Sequence, residues 1–167
     1  YQNQAKIQEL ESIRGLAAFL IIFYHIPKWN SLLDIGIINN SYLMVDLFFI
    51  LSGFLIYKIY SEKICCTKDL YRFQFLRFGR LYPVHLVFLL AFLLIEIVKY
   101  FAERKLGLSN IRSLPFSENS LGALIKQAFL FHAILPSNDA ATFNGPAWSI
   151  SVEFYTYLIF GLLILFF

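Results

Sequence analysis

The sequence predicts an all-α fold, a polytopic transmembrane helical bundle, and three observations predict it. First, 59% of the 167 residues are hydrophobic and 15% are charged, against about 45–50% apolar and about 25% charged in soluble globular chains. Second, the mean hydropathy is +0.65, and 19 Phe with 10 Tyr exceed what one soluble core of this length can hide. Third, several apolar stretches reach the roughly 20 residues that cross about 30 Å of hydrocarbon. The same figures exclude intrinsic disorder and a disulfide scaffold. A net charge of +3 is too small for a nucleic-acid footprint, so no nucleic-acid partner is expected.

The elements follow in order. Residues 13–26 form a first helix closed by Pro27, because proline disfavours helix in the residue before it. This helix reaches spanning length only by beginning near Ile7, which draws Glu9, Glu11 and Arg14 into its first turns. Residues 42–60, 81–101 and 148–167 meet spanning length plainly. Residues 121–135 carry Lys126 and His132 and read as a short span or a re-entrant segment. About five helices are therefore expected. They are joined by a polar loop at 28–41, a basic segment at 61–80, a loop at 102–120 and a turn-rich stretch at 136–147. No internal repeat interrupts this order, so residues 1–167 read as one integral-membrane domain. The chain starts at Tyr1 without Met and stops inside an apolar run, so it reads as the N-terminal part of a longer protein, with no recognisable signal peptide.

Charge sets the expected orientation. Lys63, Lys68, Arg72, Arg77 and Arg80, with Lys58 just before them, make segment 61–80 cytoplasmic and place the N-terminus in the cytoplasm too. Loop 28–41 has a single basic residue, as an exported loop should. The later loops vote against five simple crossings. Arg104, Lys105 and Arg112 would lie outside, and the uncharged-by-base stretch 136–147 would lie inside.

Ionisable groups inside a bilayer cost about 2.5–3.5 kcal/mol each on insertion scales and tend to be functional or paired. Arg14, Asp46, Glu96 and Glu153 fall in the four candidate helices. Arg14 and His25 are eleven residues apart, three turns plus about 20°, so they share a face about 16 Å apart along the axis. They cannot touch, but they can line one cavity at two depths. Histidine is the usual general base near neutral pH; the alternative for His25 is a helix-end ring bonded to a carbonyl. Arg77 and Arg80 are helical neighbours whose guanidinium forks can grip one polyanion such as a phosphate-bearing ligand, or equally face lipid headgroups. Ser149 and Glu153 share a face of the last helix, Ser151 sits off it, and Trp148 suits the membrane interface. Asp46 shares a face with Gly53, where Ser52-Gly53 permits close helix packing. His85 and His132 read as satisfied structural histidines. Adjacent Cys65 and Cys66 suit neither a framework disulfide nor a zinc site, and read as inert thiols or lipidation sites at a membrane edge. No serine-hydrolase elbow, phosphate loop or metal-ligand spacing is present, so no metal is expected.

Four blocks of this sequence, in order, resemble the membrane-bound acyltransferase family 3, the bacterial O-acetylases of surface polysaccharides. They are LESIRGLAAFLIIFYH, with Arg14 and His25; VDLFFILSGFLI; RFGRLYP, with Arg77 and Arg80; and GPAWSISVEFY, with Glu153. The resemblance implies a bundle of about ten membrane helices, of which this chain holds about the first half, in the bacterial inner membrane. It implies acyl-coenzyme A, most simply acetyl-coenzyme A, as a cytoplasmic co-substrate rather than a bound cofactor. It implies a hydroxyl of a cell-surface or exported glycan or glycolipid, such as lipopolysaccharide, as acceptor. On the same footing His25 acts as base or transient acyl carrier, Arg77 and Arg80 hold coenzyme A phosphates, and Arg14 and Glu153 shape the central site. The alternative from the residues alone is a non-catalytic transporter subunit for an activated or glycolipid substrate, which intramembrane Arg, Asp and Glu suit equally well.

Overall fold

The computed structural model describes residues 2–28, 34–107, 114–136 and 138–166. The elements are α1 (Gln2–His25), α2 (Gly36–Asn39), α3 (Leu43–Tyr60), α4 (Thr67–Leu106), α5 (Leu121–Ala128) and α6 (Trp148–Phe166), with 3₁₀ turns at Asn138–Ala141 and Gly145–Ala147. No strand occurs among the described residues. Arg112 and Phe167, both used above, lie outside them. Among the described residues, three segments are long and apolar enough to cross a membrane: Leu43–Tyr60, Thr67–Lys105 and Gly145–Phe166. The all-α membrane bundle is thus found, with its elements differently bounded.

The chain divides into two compact units, Tyr1–Lys63 and Ile64–Phe167. In the first, α1 starts at Gln2, well before Ile7, and runs 24 residues; at 1.5 Å per residue that is about 36 Å. Its apolar part is confined to Ser12–His25. Helix α1 packs against α3, whose buried residues Ser52, Leu55 and Ile56 recur at helical spacing. The expected packing through Gly53 is not found. Gly53 is exposed, and a Cβ built there meets open space. Asp46 is also exposed, in the first turn of α3, where the helix dipole favours a carboxylate.

In the second unit, the span and the basic segment before it are one helix. Thr67–Leu106 is 40 residues, about 60 Å long and about twice the hydrocarbon thickness. Nothing in residues 67–80 breaks a helix. The Asp69 carboxylate accepts the Cys65 N–H at 3.3 Å and the Cys66 thiol at 3.1 Å, which ties the first turn to the residues before it. Pro83 sits inside this helix. It has no N–H to give to the Gly79 carbonyl, which membrane helices tolerate where neighbours compensate.

Helix α5 settles what residues 121–135 are. Ser120 caps it, accepting the Ala123 N–H at 3.1 Å, but it runs only eight residues, about 12 Å, and cannot span. The short-span reading is therefore excluded. The helix ends in a Schellman motif: Phe131 N–H bonds the Lys126 carbonyl at 2.8 Å, and Leu130 N–H bonds the Gln127 carbonyl at 3.0 Å. Leu130 takes the left-handed position at φ 59°, usually held by glycine. What holds it is a row of side chains from both long helices. His85 bonds the Gln127 carbonyl at 2.9 Å, Tyr82 the Ala128 carbonyl at 3.0 Å and Tyr155 the Phe129 carbonyl at 3.2 Å, while Ser151 bonds the Leu130 carbonyl. The last carbonyls of a helix need partners once buried, and here α4 and α6 supply one to each of four in succession. With α5 not crossing, segments 107–120 and 129–147 need not lie on opposite sides, which removes the topological conflict over the stretch 136–147, which has no basic residue.

Candidate functional site

In the first unit, Arg14 is half-buried on α1, its guanidinium over the Phe48 ring of α3 at 5.9 Å. A cation over a ring face inside 6 Å is attracted by the ring quadrupole, so Arg14 is held within the α1–α3 seam. Ala17, one turn on, is 2% exposed and lets that seam close. His25 ends α1 and is exposed. Its Nδ1 lies 2.9 Å from the Ile21 carbonyl, and Tyr24 meets the ring edge-on at 5.3 Å. A carbonyl only accepts, so Nδ1 carries the proton, and in the neutral ring Nε2 is the bare, basic nitrogen. The helix-end hydrogen bond anticipated as the alternative is thus present, and it fixes the tautomer of the ring.

In the second unit, α4 and α6 share the most extensive seam. Gly161 is buried there, and a Cβ on it would run into the Leu70 side chain. Arg77 lies half-buried in this seam, its guanidinium 5.6 Å from both the Phe73 and the Tyr157 ring centres. The Tyr157 hydroxyl donates to the Glu153 carboxylate. Arg80 is exposed. The two arginines are therefore neighbours in unlike settings, one embedded and one open. Ser149 bonds the Pro146 carbonyl at 3.1 Å and Trp148 is exposed, while Ser151 is fully buried against Leu130.

A cavity of about 420 Å³ lies between α4, α6 and the end of α5, lined chiefly by Phe78, Tyr82, Phe129, Phe131, Phe154 and Tyr155. Both tyrosine hydroxyls are engaged with the α5 carbonyls, so its surface is apolar. Arg80 is two residues from Phe78 and from Tyr82, about 200° around the helix from each, and thus on the opposite side of α4.

Sequence reasoning undervalued the two buried histidines. His85 and His132 stack with parallel rings 5.8 Å apart and are 1% and 0% exposed. His85 gives Nε2–H to Gln127, but its Nδ1 and both nitrogens of His132 have no hydrogen-bond partner of good geometry. They are not the satisfied histidines expected from the sequence, which carries no signal for two residues 47 positions apart being stacked. Burial first, and the neighbouring His85 next, hold the His132 imidazole below its ordinary 6.5, with backbone at Ala147 and Lys126 opposing. Unfolded, the ring takes its proton near 6.5; folded, it resists. Stability is therefore complete above about 6.5 and is lost as the pH falls from there toward the lowered folded value. His132→Leu is expected to flatten this acid limb, read as the difference in melting temperature of the full-length protein between about pH 7.5 and about pH 5.5. An unaltered slope would remove His132 from the acid response.

Residues 7–167 match the family described as an acyltransferase domain. The chain belongs to this acyltransferase family. It is 31% identical over 159 residues to "Protein 2 in picA locus" of Rhizobium radiobacter, a match covering 86% of the chain and 75% of that protein. It is 30% identical over 166 residues to acyltransferase MdmB of Streptomyces mycarofaciens, covering 94% of the chain and 39% of that relative. No solved structure matches the chain. Family membership and three membrane-length apolar helices together make this an acyltransferase of the membrane.

Proposed function

We propose that the full-length protein moves an acyl group, acetyl in the first instance, from cytoplasmic acyl-coenzyme A to a hydroxyl of a glycan or glycolipid destined for the cell surface. It does so as a multi-pass protein of the bacterial inner membrane with its N-terminus in the cytoplasm. The observation that carries this reading is His25: an exposed imidazole whose Nδ1 is fixed by the Ile21 carbonyl, leaving Nε2 for chemistry. In direct transfer Nε2 takes the acceptor hydroxyl proton, the oxygen attacks the thioester carbonyl, and the C–S bond breaks to release coenzyme A, which receives the proton. In the stepwise route Nε2 attacks the thioester carbonyl and the C–S bond breaks to release the coenzyme A thiolate; the acceptor oxygen then takes the acyl group as its bond to Nε2 breaks, and the hydroxyl proton ends on the thiolate. Arg77 and Arg80 bind the donor phosphates, and Arg14 and Glu153 shape the site. Family membership supports chemistry rather than transport.

Arginine forks bind phosphate by charge-assisted, often bidentate hydrogen bonds. Arg77→Ala combined with Arg80→Ala is accordingly expected to raise the KM for acetyl-coenzyme A by about ten- to a hundredfold, since a lost charged contact costs about 1.5–3 kcal/mol. The check is coenzyme A release by the full-length protein in inside-out vesicles carrying the acceptor. An unchanged donor KM would take the arginines out of donor binding.

A further inference from the structure

Arg77 and Arg80 are one helical turn apart, yet only Arg77 is built into the protein. Its guanidinium faces two aromatic rings, Phe73 from its own helix and Tyr157 from α6. Those rings meet each other at 6.3 Å and 64°, forming a corner that is closed to solvent: Phe73 is 2% exposed and Tyr157 7%. The same Tyr157 gives its hydroxyl proton to Glu153, one turn back on α6. One phenol therefore touches two residues from two separate sequence blocks, with its face on the cation and its hydroxyl on the carboxylate.

We propose that Tyr157 is a positioning residue that fixes Arg77 and Glu153 relative to each other across the α4–α6 seam, so that Arg77 is preset for the anionic donor while Arg80 supplies adjustable charge. This rests on Arg77 binding the donor, as argued above. The two ends of Tyr157 have separable duties. The ring orients Arg77 and so governs donor affinity; the hydroxyl anchors Glu153 and so governs turnover.

The test uses the full-length protein in inside-out vesicles with acetyl-coenzyme A, and reads kcat and donor KM separately. Tyr157→Phe keeps the ring and removes the hydroxyl. It is expected to lower kcat about tenfold, as for loss of a hydrogen bond to a charged group, with the donor KM within about twofold of wild type. Tyr157→Leu removes both and is expected to add a rise in donor KM of about three- to tenfold, the scale of a partly buried cation–π contact. A merely structural tyrosine would move neither parameter selectively. Wild-type kcat in Tyr157→Phe overturns the proposal, and so does an unchanged donor KM in Tyr157→Leu where Arg77→Ala raises it. Should Tyr157→Leu not fold, the kcat of Tyr157→Phe decides. If Arg77→Ala itself leaves the donor KM unchanged, it is the donor-binding reading that fails.

Discussion

Replacing His25 by alanine is expected to stop acyl transfer while leaving the protein in the membrane, a loss of at least about 10²- to 10⁴-fold. The ring is exposed at the end of α1, and its contacts are a bond to its own helix at Ile21 and an edge-on meeting with Tyr24. Removing them costs about 1 kcal/mol of local stability, far less than the catalytic effect. Radiolabelled acetyl-coenzyme A is supplied to inside-out vesicles of the full-length protein, wild type and His25→Ala, and label is followed into extractable glycan. Transfer by the wild type alone makes His25 necessary. Near-wild-type transfer by the variant would end its catalytic assignment. The same vesicles separate the two routes: without acceptor, an acyl-histidine leaves label on the wild-type protein, and direct transfer leaves none.

How much of this was legible beforehand follows from how far each signal reaches along the chain. The bundle class and α3 and α6 were readable because an apolar run of spanning length is a local property. The spacing of Arg14 and His25, and of Arg77 and Arg80, was readable because helical periodicity is local as well. The bounds of α4 were not. Basic residues mark where a helix leaves hydrocarbon, but they are good helix formers and do not end it; the helix therefore continues back to Thr67, where Asp69 ties its first turn to Cys66. Helix α5 misled for the opposite reason. Residues 129–135 are apolar without being helical: Leu130 is buried and Phe131 stacks on Tyr155, while Phe129, Ile134 and Leu135 stay exposed, and the carbonyls that end α5 are held by residues 42 to 46 positions earlier and 21 to 26 later. The paired histidines and the Tyr157 bridge between Arg77 and Glu153 are likewise tertiary facts. Glu96 was flagged by its cost in a membrane, and only the fold reveals what it holds.

Glu96→Ala is expected to be the most destabilising single change outside the candidate site, by about 3–5 kcal/mol, the scale for removing one partner of a buried charged cluster. Glu96 is 3% exposed and accepts from three donors: Lys99 at 2.7 Å, the Phe116 N–H at 2.9 Å and Asn119 at 2.9 Å. Two of these donors come from the segment just before α5. Phe116 sits at φ 59°, a left-handed conformation that costs a bulky residue about 1–3 kcal/mol and persists only while its surroundings impose it. Asn119 passes the constraint on, its side-chain oxygen accepting the N–H of Phe143, which is itself left-handed at φ 53°. Phe143 belongs to the buried cluster with Leu89 and Ala123 and lies just before the turn that opens α6. One carboxylate thus holds two strained turns and sets where α6 begins. Lys99, more exposed than Glu96, can carry its ammonium to water when unpaired, so Lys99→Met should cost much less. Glu96→Gln keeps an acceptor oxygen and should fall between the two. At about 2–4 °C per kcal/mol for a chain of this size, the alanine variant should melt on the order of ten degrees lower, measured on the full-length protein in detergent. A drop confined to about a degree, within the ordinary range for surface changes, would mean the two turns hold themselves. Equal drops for Gln and Ala would mean that the charge on Glu96, and not its place as acceptor, is what binds α4 to the start of α6.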